Sequence, residues 1–285
     1  MSSRKIFRLS SLSIVDLLGQ DAETILHNLT TNQIKNLSVG QNVETFITDV
    51  KGKTLGHVYA CRIENGFRLI GADGQSQAIV DHADRYTIRE DAVATIRDND
   101  FEVFVTIGDQ DLDPPPTIEN HCVGWLGSET RVWLVSEGVS LEWTDSDSAN
   151  AIGDDRDFHF ARTLAAFPWH GIDFDDKNLP QEASRPDAIS FTKGCYLGQE
   201  TVARLDALGQ VQKCLVRWSV DHGDVQPECE VFVDEKLVGR LTSIAQVSET
   251  KAFAIGVARR SHFEPGSMAN GTSKNGHAFT ATVVS

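Results

Sequence analysis

The sequence predicts an α+β protein with a β-rich C-terminal part, and three observations carry the prediction. Apolar residues at helical spacing stand near the start. From residue 42 the pattern changes to short apolar runs broken by glycine turns, and from about residue 210 only short β-type runs remain. At 285 residues the chain exceeds what one core usually holds, so two or three domains are expected.

Taken in order, residues 12–37 read as helix punctuated by polar turns, with Asp21 capping "AETILHNLTTNQI" and Ile25, Leu29 and Ile34 near one face. Residues 42–74 contain Lys-Gly, Asn-Gly and Asp-Gly between apolar runs, the signature of antiparallel strands joined by tight turns. In "LGHVYACRI", Leu55, His57, Tyr59 and Cys61 share one face and Gly56, Val58, Ala60 and Arg62 the other. Both faces are partly apolar, which puts this strand inside its sheet. Residues 76–88 read as a helix, 92–108 as two strands, and the proline-rich 109–121 as a linker or surface excursion. "RVWLVS", 131–136, is a strand, and "DFHFARTLAAF" is a helix ended by Pro168. "ETVARLDALGQ" is a helix that starts between Cys195 and Gly198. After it, "VQKCLVRWSV", "CEVFVDEKLVGRLTSIAQV" and "AFAIGVARR" have the spacing of a small antiparallel barrel. A boundary near Gly209 divides 1–208 from 209–285.

A formal net charge of -15 repels polyanions, so no direct nucleic-acid binding is expected. Acidic clusters at 154–157 ("DDRD") and 173–176 ("DFDD") read as solvated surface. No apolar run approaches the ~18 residues of a membrane span, and the N-terminal stretch lacks a convincing small-residue cleavage site, so a cytoplasmic protein with no membrane partner is expected. Five cysteines without a CxxC fit reduced thiols rather than a disulfide framework or a zinc site. GxSxG, GxxxxGK(S/T), GxGxxG and HExxH are all missing, which leaves serine-hydrolase, nucleotide and zincin chemistry without support.

The stretch "SFTKGCYLGQET", 190–201, carries the candidate chemistry. A thiol at a helix start faces unpaired N–H groups and the positive end of the helix dipole, and Lys193 adds a cation; all three favour the thiolate of Cys195. A small apolar residue in a turn formed by Gly194 and Gly198 is the other reading, and spacing leaves both open. Cys61, Cys122, Cys214 and Cys229, in or beside strand-like runs, are read as core. His57 and His170 are read as core or rim residues, and Phe167, Trp169 and Phe174 as core residues or a stacking surface for a flat heterocycle.

"FTKGCYLGQETVAR" resembles the K-G-C-(F/Y)-x-G-Q-E signature of the YgfZ family, folate-binding relatives of the glycine cleavage T-protein (GcvT). "LTTNQIKNLSVGQ", "FITDVKGKTLGHVYACRI", "RYTIREDAVATIRD", "ARTLAAFPWHGIDFDDKNLPQEA" and "GRLTSIAQVSETKAFAIGVARR" agree in order, so the resemblance spans nearly the whole chain. It implies a three-domain cloverleaf: two interleaved α+β subdomains and a C-terminal antiparallel β-barrel, around a channel for tetrahydrofolate. It further implies support of iron–sulfur enzymes, tRNA-modifying ones among them.

On that resemblance the site comprises Cys195 and Lys193, with Gly194, Tyr196, Gly198, Gln199, Glu200, Arg204, Arg162 and Trp169 as folate contacts. Lys193, Arg204 and Arg162 suit the glutamate tail, and structural salt bridges with the abundant acids are the competing role. The chain departs from T-proteins where they carry paired aspartates, at Gly56 and His57, and where they carry a pterin-binding glutamate, at Leu164. Cys195 stands where T-proteins tend to have an aspartate, a preferred helix cap. The expected function is therefore a folate-binding accessory protein for iron–sulfur assembly or repair, with Cys195 as a redox thiol, a transient cluster ligand or a site of covalent exchange. Client enzymes or assembly factors are its expected partners. A tetrahydrofolate-dependent aminomethyl- or methyltransferase and a non-catalytic folate-responsive scaffold are the alternatives.

Overall fold

The structure, a computed structural model, describes residues 5–108, 118–139, 152–209 and 211–285. In chain order it contains β1 (Lys5–Leu9), β2 (Ser13–Leu18), α1 (Ala22–Leu29), β3 (Asn42–Thr48), β4 (Thr54–Ile63), β5 (Gly66–Gly71), α2 (Ser76–Tyr86), β6 (Val93–Ile96) and β7 (Phe101–Ile107). There follow β8 (Glu119–Val123), β9 (Thr130–Ser136), β10 (Ile152–Gly153), α3 (Asp155–Leu164) and α4 (Gln199–Leu208). Six further strands, β11 (Lys213–Val220), β12 (Glu230–Val233), β13 (Lys236–Ser248), β14 (Lys251–Arg259), β15 (Met268–Thr272) and β16 (Ala278–Val284), complete the chain. Two compact units result: Met1–Phe158 with Asp187–Gln199, and His159–Pro186 with Glu200–Ser285. Of the expected excursion at 109–121, residues 109–117 lie outside the described residues, and Glu119 already opens β8.

The first unit holds two five-stranded sheets, ordered β10-β1-β7-β9-β8 and β3-β4-β5-β2-β6. The chain leaves the first sheet after β1, builds the whole of the second, and returns at β7, so the two α+β layers are interleaved in sequence. The second sheet buries Val15, Leu17, Val58 and Leu69 with Ile25, Leu26 and Leu29 of α1 and Ile79 of α2. As expected, β4 is internal, paired with β3 on one side and β5 on the other. A buried cation joins the sheets: Arg68 on β5 donates from Nε and Nη2 to both oxygens of Asp16 (2.7 and 2.8 Å) and from Nη1 to Glu119 on β8. Two carboxylates around one planar guanidinium keep a buried charge satisfied, which is the condition for tolerating it.

In the second unit the strands close as β11-β14-β13-β12-β15-β16, with β16 returning to β11. Closure removes the exposed edges that an open sheet would offer. Trp218 fills the interior. It stands opposite Ala254 and Val283, and a Cβ on Gly239 or Gly256 would lie 3.1 Å from its indole ring. Alanines 252, 254, 258, 269 and 281 give the large ring its room.

Three expectations are corrected. Residues 13–18, read as helix, form β2 between β5 and β6; all but Leu18 are buried, and a run apolar on both faces carries no period to separate strand from helix. Asp21 precedes α1 but makes no side-chain cap; its Oδ2 accepts the Asp91 N–H at 2.8 Å instead. Cys122, read as core, is exposed on the edge strand β8, whereas Cys61 and Cys229 are buried.

Because Trp218 organises the barrel, Trp218→Ala should lower the unfolding free energy by about 3–5 kcal/mol in denaturant titration. Its Nε1 has no hydrogen-bond partner. Trp218→Phe, which keeps most of the volume, should therefore cost much less; equal losses would show that the indole N–H matters more than the packing.

Candidate functional site

The segment Asp187–Gln199 is sewn to the first unit by the loop after α1. Thr31 Oγ1 donates to Ala188 O at 2.7 Å, the Ser190 amide donates to Thr31 O at 2.9 Å, and Asn32 Nδ2 donates to Asp187 O at 2.7 Å. Thr30, Thr31 and Asn32 come from "LTTNQ", so two distant sequence stretches meet as one structural piece.

Lys193 is the strongest of these stitches. Its buried ammonium donates to His27 O at 2.7 Å, Thr30 O at 2.6 Å and Asn32 O at 2.8 Å. An ammonium has three donors, and all three are spent on carbonyls at and just beyond the C-terminal end of α1, where the helix dipole favours a cation. Burial, then the Lys35 charge, pull the Lys193 pKa down to about 7. Lys193 was nominated as a catalytic cation beside the thiol; its geometry is that of an anchor, and the correction follows from where its N–H bonds point.

Two residues on, Tyr196 is buried with its ring 5.0 Å from Lys193 Nζ, and burial pushes its phenol up to about 12. The Leu197 amide donates to Asn28 O at 2.9 Å, and Leu197 O accepts from Thr48 Oγ1 at 2.7 Å. Gly198, at φ +77°, lies against the turn 49–52: a Cβ there would stand 2.5 Å from Asp49 O and from the backbone of Gly52. Only glycine fits, both for conformation and for space. Between the buried anchors Lys193 and Tyr196, Gly194 and Cys195 are exposed. The loop therefore presents the thiol on a short span fixed at both ends.

The helix-start argument for Cys195 is corrected. α4 begins at Gln199, with the Gly198 turn before it, so Cys195 precedes the first helical residue by four positions. The dipole's influence is confined to the terminal turn. Cys195 does not occupy the aspartate-like capping position that the comparison with T-proteins proposed.

The remaining nominees separate by burial. Gln199 is half-buried at the start of α4, and Glu200 and Arg204 are exposed on it. Arg162 is almost wholly buried in the second unit: Nη1 donates to Asp173 Oδ2 (2.7 Å) and Phe167 O (3.2 Å), Nη2 to Ser243 Oγ (2.8 Å) and Nε to His159 Nδ1 (2.7 Å). Trp169 is buried beside it, with the Arg162 guanidinium 5.9 Å from the ring centroid. Both belong to the core of that unit, so neither is open to a folate tail or ring. Asp173, read with its neighbours as solvated surface, is the buried partner of Arg162 and also accepts from Thr242 Oγ1 and Ser243 Oγ. His57 is core as well, bonded through Nε2 to Glu44 at 2.7 Å and stacked on Phe46.

Sequence reasoning missed His27, in the last turn of α1. The ring is buried, Nδ1 has no hydrogen-bond partner, and a Cβ placed on Gly194 would lie 3.7 Å from Nε2. Burial first, then the charges of Lys193 and Lys35, bring its pKa down to about 4. Nothing in the local sequence distinguishes it from any basic residue at a helix C-terminus. Among the described residues no cluster of three metal-ligating side chains occurs, and no helix is long and apolar enough to cross a membrane.

No family profile matches the chain. It is 26% identical over 228 residues to an uncharacterised protein of Haemophilus influenzae, covering 78% of this chain and 75% of that protein. To the tRNA-modifying protein YgfZ of Cronobacter sakazakii it is 24% identical over 248 residues, covering 78% and 73%. Among solved structures, the glycine cleavage system aminomethyltransferase T of Bartonella henselae matches with a TM-score of 0.84 at 14% identity, over 99% of this chain and 85% of that one. The YgfZ-family resemblance is supported at modest identity, and the α+β fold with its C-terminal barrel is the fold of the aminomethyltransferase.

Lys193→Met removes three charge-assisted bonds to buried-loop carbonyls, so it should cost about 3 kcal/mol of stability and speed hydrogen exchange at the Leu197 amide. An unchanged exchange rate there would mean that the loop holds without its anchor. The His27 imidazole has an ordinary pKa of 6.5 and a folded one of about 4, so the unfolded chain takes up a proton that the folded chain refuses. Its contribution is present above pH 6.5 and is lost as pH falls towards 4. Denaturation between those pH values should show a shallower loss of stability for His27→Phe than for the native chain.

Proposed function

We propose that the chain is a folate-binding accessory protein, related to tRNA-modification chemistry, that supports the assembly or repair of iron–sulfur enzymes through Cys195. The observation that carries the reading is the exposed thiol on a loop pinned by Lys193 on one side and by Tyr196, Leu197 and Gly198 on the other. A pre-organised, accessible thiol suits repeated exchange with a partner, because the loop need not be ordered at each encounter. The name of the Cronobacter relative points to tRNA modification as the setting. Clients are then iron–sulfur enzymes reached in the cytoplasm, and contact with tRNA is indirect because the chain carries a net charge of -15.

Tetrahydrofolate is the cofactor that the resemblance implies. Of the cations nominated for its glutamate tail, Arg162 and Lys193 are committed to internal partners, and Arg204 is the exposed one. When bound, the cofactor supplies a one-carbon carrier; the chain's part is to hold its anionic tail, for which an arginine fork is the fitting donor.

The transferase alternative has the fold likeness in its favour. Against it, His57 stands where the resemblance puts part of the T-protein aspartate pair, and it is buried and bonded to Glu44. No accessible base is nominated at that position.

In a deletion strain under oxidative stress, Cys195→Ser should fail to restore iron–sulfur enzyme activity while the native chain restores it; full rescue by the variant would sink the thiol reading. Calorimetry with tetrahydrofolate should show binding that survives Cys195→Ser and weakens at least several-fold in Arg204→Ala.

A further inference from the structure

We propose that the outer face of the C-terminal barrel around Phe253 is a docking site for an acidic segment of a partner protein, whose carboxylates are received by the Arg217 guanidinium and the Lys251 ammonium. The inference is independent of the thiol reading above.

Strand register assembles the patch. Trp218 points into the barrel, so its neighbours Arg217 and Ser219 on β11 point outward. Ser219 stands opposite Phe253 on β14 and opposite Thr282 on β16, and Arg217 stands opposite Val284. Residues opposite each other on antiparallel strands share a face, so Thr282, Ser219 and Phe253 form one outward row with Arg217 and Val284 beside it. The Arg217 guanidinium carbon lies 4.6 Å from the Phe253 ring centroid, and Lys251 Nζ lies 5.0 Å from the same centroid.

One cation over a ring is an ordinary surface contact; a second over the same ring brings two like charges together. No carboxylate relieves them. Among the described residues neither Arg217 nor Lys251 has an ion pair or a hydrogen bond, and Arg217 Nε is buried without an acceptor. Acids outnumber bases 41 to 26 in this chain, and other surface cations, Arg8 and Arg240 among them, do face carboxylates. Stacking on a ring fixes the plane of a guanidinium and leaves its in-plane N–H groups for a planar oxyanion, which a carboxylate matches two for two. The half-buried hydroxyls of Ser219 and Thr282 add donors on the same face.

The outside of a closed barrel is convex, whereas small molecules are held in concave sites, so the occupant is a segment of a macromolecule. Two cations match one or two carboxylates. A nucleic acid would carry its charge beyond the patch onto a chain of net charge -15, which opposes it. In a protein partner the negative charge ends where the patch ends, and Phe253 and Val284 supply the apolar contact that surrounds an interfacial arginine.

The test titrates the full chain, labelled with nitrogen-15 and carbon-13 arginine, with a hexaglutamate peptide and follows the guanidinium signals by NMR. The Arg217 signal, assigned by its loss in Arg217→Gln, should shift saturably, and the affinity should fall several-fold in Lys251→Gln. Lys251 is exposed, so that variant keeps the test open should Arg217→Gln not fold. A hexauridylate RNA and inorganic phosphate, at matched concentration, should bind more weakly. Tighter binding of the RNA overturns the choice of partner. A shift that phosphate reproduces, no saturable shift with hexaglutamate, or an affinity unchanged in Lys251→Gln each overturns the docking site.

Discussion

A single ammonium, held under the end of a helix, decides where the thiol of this protein can be. Lys193 donates to carbonyls that belong to α1 and to the loop that follows it, so the conformation of that loop and the path of the Asp187–Gln199 segment are set together. The two are 161–166 residues apart in sequence. Closing such a loop has an entropic cost that grows only slowly with length, and three charge-assisted bonds in a buried setting offset it. Cys195 lies with Gly194 on the exposed span between the buried Lys193 and Tyr196.

The same principle recurs through the molecule. Although the surface is acidic, several of its buried charges are cationic and fully matched: Arg68 by Asp16 and Glu119, Arg162 by Asp173, Lys193 by carbonyls alone. Guanidinium groups are matched by carboxylates, whose planar oxygens suit a fork, while the compact ammonium is matched by convergent carbonyls. Lys193 is the one of the three whose neutraliser carries no formal charge. Burial lowers the pKa of the His27 ring most, and the field of Lys193 adds to it, so that imidazole stays neutral.

Much of the architecture was legible from periodicity and turn chemistry. The hairpins of 42–74, the helix of 76–86 and the barrel strands were readable because glycine turns and alternation are local signals. β2 was not, since burial on both faces erases alternation, and the location of α4 was missed by one residue because Gly198 starts a turn rather than the helix. At the site, Cys195 was visible as a motif, but the roles of Lys193, Arg162 and Trp169 were misread. Their types fit ligand binding equally well, and only the partners of each N–H, at residues such as His27, Asp173 and Ser243, distinguish a binding group from an internal one. Asp173 shows the limit most clearly: in a run of acids, sequence offers no means of telling the buried carboxylate from its solvated neighbours.

The exposure of Cys122 on its edge strand has a practical bearing on how the protein is handled. Two of the five thiols face solvent, and an alkylating reagent or a fluorescent maleimide will mark both. A stoichiometry above one per chain would then say nothing about Cys195. Oxidised preparations risk intermolecular bridges through the wrong residue, giving dimers that mimic a specific association. Chemical labelling of the loop thus begins from a background in which Cys122 has been replaced by serine.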